Sequence, residues 1–353
     1  MIRLLRFVFC LSAALMLSLP ASARTVVDHL NRTVELPDDI HRVVVTGIYP
    51  LASAVTVFLQ GPHSLVGMHP LSMQAAKSGV LSELYPQIKY VATNFVQGDS
   101  LNIESLMALR PDVVFVRASD KNQIQLLEAA RIPCVAFSTN SWNYDVMQTY
   151  RNWLDLMGRI FERPGVNLAA RAKIEAYKNF INARLAKIPF DKRPRVLFLV
   201  SYDTRKIVTS SRRFFGEYWA RSVGAQNVAS GLELESFTAS INMEQILKWN
   251  PDAVFITNFT SARPNDLYTN RLHNWSDVAA VRHQAVYKMP LGLYRSYAPS
   301  ADSPLTLLWL AKTLYPHAFA DLDLTTETKN FYREVFGIRL TDSMAARLFP
   351  EQH

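Results

Sequence analysis

Three arginines, two glutamates, a histidine and several tyrosines are the residues of this chain with the most evident chemistry. Arg117, Arg205 and Arg295 each lie just beyond an apolar run that reads as a strand. A guanidinium there offers a planar fork that binds carboxylate or phenolate oxygens bidentately in a partly dry site. His69 and Tyr294 can complete the coordination sphere of a transition metal, imidazole suiting iron or nickel and phenolate suiting ferric iron. His69, within Gly67-Met68-His69-Pro70, reads equally as a solvated loop histidine. Tyr49, Tyr202, Asn258 and the pair Asn94-Phe95 add polar or aromatic contacts, and Tyr294 can serve the same purpose by packing. Arg117 has the alternative of pairing with Asp120.

The acids differ in kind. Glu104 and Glu244 sit in a repeated pattern, N-x-E-x-[LI]-x-x-x-x-P-D-x-V-F, which starts at Asn102 and returns 140 positions later at Asn242. Each copy reads as a short helix capped by Asn, ended by Pro-Asp and followed by a buried strand, Val113–Val116 or Ala253–Thr257. A Glu in a first helical turn complements the helix dipole by about 0.3–1 kcal/mol. One acid per copy also makes a two-point electrostatic handle.

The repeat implies two similar α/β lobes. Arg42–Val45 and Arg195–Val200 are continuous apolar runs of the sort that parallel strands covered on both faces require, and each would open a lobe. Ser64–Gly67, Lys89–Ala92, Cys134–Phe137 and Ala285–Met289 are further strand candidates, separated by helical patterns. The expected fold is therefore α/β: two Rossmann-like lobes with mostly parallel sheets, joined by a long, rigid α-helix. The lobes would span residues 24–165 and 189–353, with the joining helix at 166–188, roughly 30 Å long. In such a fold, ligands lie beyond the strand C-termini, which places the candidates above in a crevice between the lobes.

Composition narrows the function. Arg3 and Arg6 followed by apolar Phe7–Leu19 and Ala21-Ser22-Ala23 read as an export signal, residues 1–23, cleaved after Ala23, which places the mature chain in the periplasm. The signal's Cys10 lacks the small residues that precede an acylated cysteine. Only Cys134 then remains, set in Ile132–Phe137 as a core thiol, so no internal disulfide is expected. The 49% hydrophobic content suffices for two ordinary cores. The charge of +8 falls to +6 without Arg3 and Arg6, and its positives are scattered, which fits an anionic small ligand and argues against nucleic acid. The chain carries no H-E-x-x-H, G-x-S-x-G, Walker or G-x-G-x-x-G pattern, and its twelve glycines leave little scope for a phosphate-cradling loop. No enzyme, no intrinsic cofactor and a monomer are expected. Chelatases, sugar transferases and periplasmic sensors share two-lobed architectures and are the competing classes. No convergent His/Asp/Glu set of the kind a bare divalent ion needs is evident.

Val27-Asp28 through Arg32–Pro37, His41–Val45, Leu65-Val66-Gly67, the two N-x-E…P-D copies, Leu308–Lys312 before Tyr315-Pro316, and the tail with Phe331-Tyr332 and Phe336-Gly337 together resemble the helical-backbone class of periplasmic binding proteins, which serve importers of siderophores, haem and cobalamin. The resemblance spans essentially the whole mature chain. It implies capture of a metal chelate, foremost an iron(III) siderophore or similar complex, with nickel chelate, haem and cobalamin as alternatives. It also implies delivery to an inner-membrane ABC permease and its ATPase, with Glu104 and Glu244 docking onto permease arginines. The long joining helix, which limits hinge motion, predicts only a small closure of the lobes.

Overall fold

A computed structural model describes residues 23–98, 100–232 and 236–351. Apart from Ala23, the expected export signal lies outside the described residues. Ala23–Val27 and Thr33–Pro37 form an antiparallel hairpin, with Ala23 opposite Pro37.

The first lobe is built on a fully parallel sheet in the order Leu65–Met68, Val43–Val45, Val113–Arg117, Cys134–Phe137. Successive side chains alternate between its faces. Val43, Val45, Phe115 and Phe137 point to one core, while Val44, Val114, Val116 and Ala136 point to another, which is why these runs are apolar without interruption. Lys89–Ala92, expected as a strand, does not form one. Pro86 starts a 3₁₀ helix over Pro86–Tyr90, its fixed φ favouring a helical turn, and only Ala92 reaches the sheet, through a bridge to Gly67.

The second sheet is mixed, in the order Thr238–Ile241, Ile207–Ser210, Arg195–Tyr202, Ala253–Ile256, Val286–Lys288, with Gln226–Asn227 alongside the start of Arg195–Tyr202. Its last three strands are parallel. Ile207–Ser210 folds back antiparallel through a turn in which Asp203 Oδ1 accepts the backbone N–H groups of Arg205 (2.8 Å) and Lys206 (3.1 Å).

The sequence repeat is a structural repeat. Asn102 and Asn242 cap helices Ile103–Ala108 and Met243–Trp249, each side chain accepting from the backbone N–H three residues on at 2.9 Å. Arg110 and Asn250 both end their copies in left-handed backbone conformations. Asp112 Oδ2 accepts from the backbone of His41 and Arg42, and Asp252 Oδ2 from that of Arg195, all at 2.8 Å. The Pro-Asp pair therefore staples the end of each helix to the first strand of its lobe.

The lobes are joined by helix Pro164–Leu185, 22 residues and about 33 Å long. It begins two residues before the expected 166 because Pro164 occupies the first turn, where its missing N–H costs nothing. Ala170, Ile174, Tyr177, Ile181 and Leu185 form its buried stripe. Tyr177 donates to Glu327 Oε1 (2.6 Å), and Arg184 makes a two-pronged contact with Asp321 (2.5 and 2.8 Å), tying the helix to the C-terminal helices. Those helices return to the first half of the chain: Gln60 donates to Phe336 O (2.7 Å), and Arg347 grips Glu83 (2.6 and 2.7 Å). One hydrophobic cluster consequently runs from Val43 and Phe115 of the first sheet through Trp153 and Leu308 to Phe198 and Phe255 of the second. Tyr144, from the loop after strand Cys134–Phe137, adds an aromatic clasp, its ring 4.8–5.3 Å from those of Phe214, Phe215 and Phe237.

Candidate functional site

The loops that follow the parallel strands of the two sheets approach each other, with Gly79 of the first half beside Leu291 and Gly292 of the second. In the first lobe, Tyr49 follows strand Val43–Val45, His69 follows Leu65–Met68, and Arg117 closes Val113–Arg117. Their side chains converge. The Tyr49 and His69 rings lie 4.5 Å apart, the Arg117 guanidinium sits 5.5 Å from the Tyr49 centroid, and its Nη2 donates to Gly47 O. With Thr46, Asp120 and Gln123 they line a cavity of about 230 Å³.

His69 is not a solvated loop residue. It is buried and caps helix Pro70–Ser78, its Nδ1 accepting the Leu71 N–H at 3.1 Å. That bond occupies Nδ1, so any metal ligation would fall to Nε2. Asp120 likewise has a local task, capping helix Lys121–Ala129 by accepting from Gln123 N (3.1 Å), and among the described residues it forms no ion pair with Arg117.

The second lobe contributes the loop after strand Val286–Lys288. Tyr294 is only 2% exposed, and its hydroxyl is buried with no hydrogen-bond partner among the described residues. Burial pushes this phenol up to about 12, while the positive charges of Arg295 and Arg117 pull the other way, so cations from both lobes act on one hydroxyl. The Arg295 guanidinium lies 5.4 Å from the Phe259 centroid and 5.5 Å from that of Tyr294, and among the described residues it has no ion pair.

This loop is held rigidly. Asn258 Nδ2 donates to Met289 O (2.9 Å) and Pro290 O (2.7 Å), so Asn258 positions the loop from beneath. Asp302 is fully buried and accepts from Leu293 N (2.8 Å), Ser300 Oγ (2.6 Å) and the Tyr332 hydroxyl (3.3 Å). Burial raises its pKa, with these three donors acting against the rise. Gly292 adopts φ +56°, and a Cβ there would come within 2.7 Å of Asp302 Oδ2, so both the backbone and the space require glycine. Lys288 Nζ donates to the carbonyls of Thr257, Thr260 and Ala262 at 2.7–2.9 Å. Burial, helped by Arg263 and Arg295, lowers its pKa to about 8.

Arg117 and Tyr49 of the first lobe and Arg295 and Tyr294 of the second thus lie at or beyond the ends of their strands, with no nucleophile–base pair among the four. The family of periplasmic binding proteins matches residues 74–291, more than half of the chain. The chain is a periplasmic binding protein, of the helical-backbone class. It is 29% identical to the molybdate-binding protein MolA of Haemophilus influenzae, with 96% of this chain and 98% of that protein aligned. A periplasmic solute binding protein of Veillonella parvula superposes with a TM-score of 0.80 at 27% identity, over 93% of this chain and 97% of that one. The molybdate-bound structure of Haemophilus influenzae MolA gives a TM-score of 0.75 at 24% identity, over 90% and 99%. Proteins of this class bind small ligands and work with an ABC permease and its ATPase.

Not every expected contact belongs to the binding protein's cleft. Tyr202 is a core residue: it is buried against Trp275, whose Nε1 donates to the phenol at 2.9 Å, because the end of its strand turns its ring into the outer core of the second lobe. Phe95 is also core, packed beneath Gly67. Asn94 is exposed, and Arg205 is exposed at the tip of the Asp203–Lys206 turn, away from the Tyr49–His69–Arg117 cluster's contacts. His273, expected at the surface, is half-buried, its Nε2 2.8 Å from Asp203 O. Sequence reasoning missed Asp302, Gly292 and Lys288. The only signal for Asp302 is Asp-Ser-Pro at a helix start, which reads as an ordinary cap.

Glu104 and Glu244 are both exposed, each the second residue of its Asn-capped helix, and neither has an ion pair among the described residues. Chain direction places both helix N-termini at the strand C-terminal edge, the edge that borders the cleft. Among the described residues no group of three or more His, Cys, Asp or Glu side chains is placed to hold a metal ion.

Proposed function

We propose that this binding protein captures a compact, metal-centred anion between its lobes, an oxyanion of the molybdate kind ahead of an iron(III) chelate, and delivers it to the permease and ATPase of an ABC importer. What supports this reading is that Arg295, its guanidinium 5.5 Å from the Tyr294 ring, and Arg117 from the first lobe both favour negative charge at the buried Tyr294 hydroxyl. An anion seated near them would meet positive charge from both lobes, the charge that arginine presents to oxyanion and carboxylate oxygens alike. Full-length relatedness to a protein named for molybdate supports the same choice.

A ferric chelate is the second reading. Phe259, 37% exposed beneath the Arg295 guanidinium, gives that reading an aromatic surface on which a larger anionic complex could rest. Glu104 and Glu244 are the proposed contacts for permease arginines, one per lobe.

Calorimetric titration of the purified protein with molybdate, tungstate, sulfate, ferric citrate, a ferric catecholate siderophore, haem and nickel–histidine tests the ligand. Saturable one-to-one binding of molybdate and tungstate, with the anion recovered unchanged, is the expected result. Binding of a ferric chelate with no response to oxyanions would replace the first reading by the second. Conversion of the bound compound would overturn both in favour of an enzyme.

A further inference from the structure

The two docking helices are alike in more than their acids. From Ile103 to Leu109 and from Met243 to Trp249, the sequence of half-buried, exposed and buried residues is the same at every position. Within that shared pattern, each helix exposes a large apolar residue three places after its glutamate: Met107 is 53% exposed and Leu247 is 43% exposed. Three residues apart on a helix is one face, so each acid stands beside an apolar side chain with nothing over it. Single exposed apolar residues are commonplace. Here the exposure recurs at the same position of both halves, where Leu106 and Ile246 already supply the buried anchor and a polar residue would serve solubility better.

We propose that Met107 and Leu247 are the apolar half of a twofold docking surface, each entering a hydrophobic recess beside the cation that receives Glu104 or Glu244. The inference rests on the docking reading above and extends it. The partner is one with two equivalent receptor sites, each pairing a basic group with an apolar pocket, as a permease made of two like membrane subunits presents. The acids set long-range attraction and orientation, which salt screens. The apolar pair supplies short-range burial, which salt leaves intact. Burying the exposed half of such a side chain corresponds to about a fivefold change in affinity.

The test measures binding of this protein to its importer, permease plus ATPase, in lipid nanodiscs across a range of salt concentrations. Met107→Gln and Leu247→Gln keep good helix formers at exposed positions, and unchanged unfolding temperatures confirm intact folds. Each is expected to weaken binding about fivefold and the pair about 25-fold, at low and high salt alike, with Met107→Leu restoring it. Glu104→Ala with Glu244→Ala should instead remove the salt-dependent part. If the glutamate variants weaken binding and the glutamine variants do not, the apolar contact is refuted and the acidic docking reading stands. If the glutamate variants bind like the unaltered protein, the docking reading itself fails and this inference falls with it.

Discussion

Replacing Arg295 by Gln probes the cleft most directly. The backbone there is left-handed, φ +41°, and Gln meets the same steric cost as Arg, so the change removes charge without adding strain. Two unit charges 4 Å apart at an effective dielectric of 20 interact by about 4 kcal/mol. Arg295 is only half-buried, and solvent with counterions reduces that by about half, leaving ~2 kcal/mol, or roughly 30-fold in affinity. Arg117→Gln should cost a similar amount, because both guanidinia act on the Tyr294 hydroxyl. Arg205→Gln is the control, being exposed at a hairpin tip. Isothermal titration with molybdate at two ionic strengths reads all three. Molybdate affinity of the unaltered protein should also fall with added salt more steeply than that of Arg295→Gln. A loss below threefold in both cleft variants, or an equal loss in Arg205→Gln, would refute the two-arginine arrangement.

Other outcomes follow from the loop that carries Tyr294. Tyr294→Phe should weaken molybdate binding by about 1 kcal/mol, with no pH dependence of its own between 6 and 9, since the phenol titrates only near about 12. Gly292→Ala should destabilise the protein by about 1–3 kcal/mol and weaken ligand binding, seen by thermal melts and titration, because it strains the backbone and crowds Asp302. The folded state holds the Asp302 proton more tightly than the unfolded chain does, so this group's contribution is fully present below the unfolded carboxylate value of about 3.9 and is lost as pH rises through the raised folded value. Asp302→Asn, which has no proton to lose, should therefore gain on the unaltered protein as pH increases above about 4 in calorimetric melts. Solution scattering should show nearly the same radius of gyration with and without molybdate.

Much of this architecture is legible in the residues because its determinants are local. The Asn caps, the Pro-Asp endings and the uninterrupted Val-rich strands each state their conformation within a few positions, and their repetition states the two lobes. The Ile207–Ser210 and Thr238–Ile241 strands were not legible. Their antiparallel pairing depends on a turn organised by Asp203, and such pairing is decided by tertiary partners more than by composition. In the cleft, Arg117 and Tyr294 could be placed by the rule that loops follow strand ends. Tyr202 obeyed the same rule in position but not in direction, since its ring turns into a core that only the folded sheet defines. Asp302 and Lys288 act through backbone groups distant in sequence, Leu293 N for one and the 257–262 carbonyls for the other, and no motif encodes such partners.

The hydrophobic cluster that passes from one sheet through the joining helices into the other makes the two halves interdependent. Neither could be produced alone without laying bare the side chains its partner shields, so heat should melt the whole molecule in a single cooperative step. A receptor that pries the lobes apart must strain a shared interior, and cargo release then requires work from outside, which the ATPase of an importer can supply.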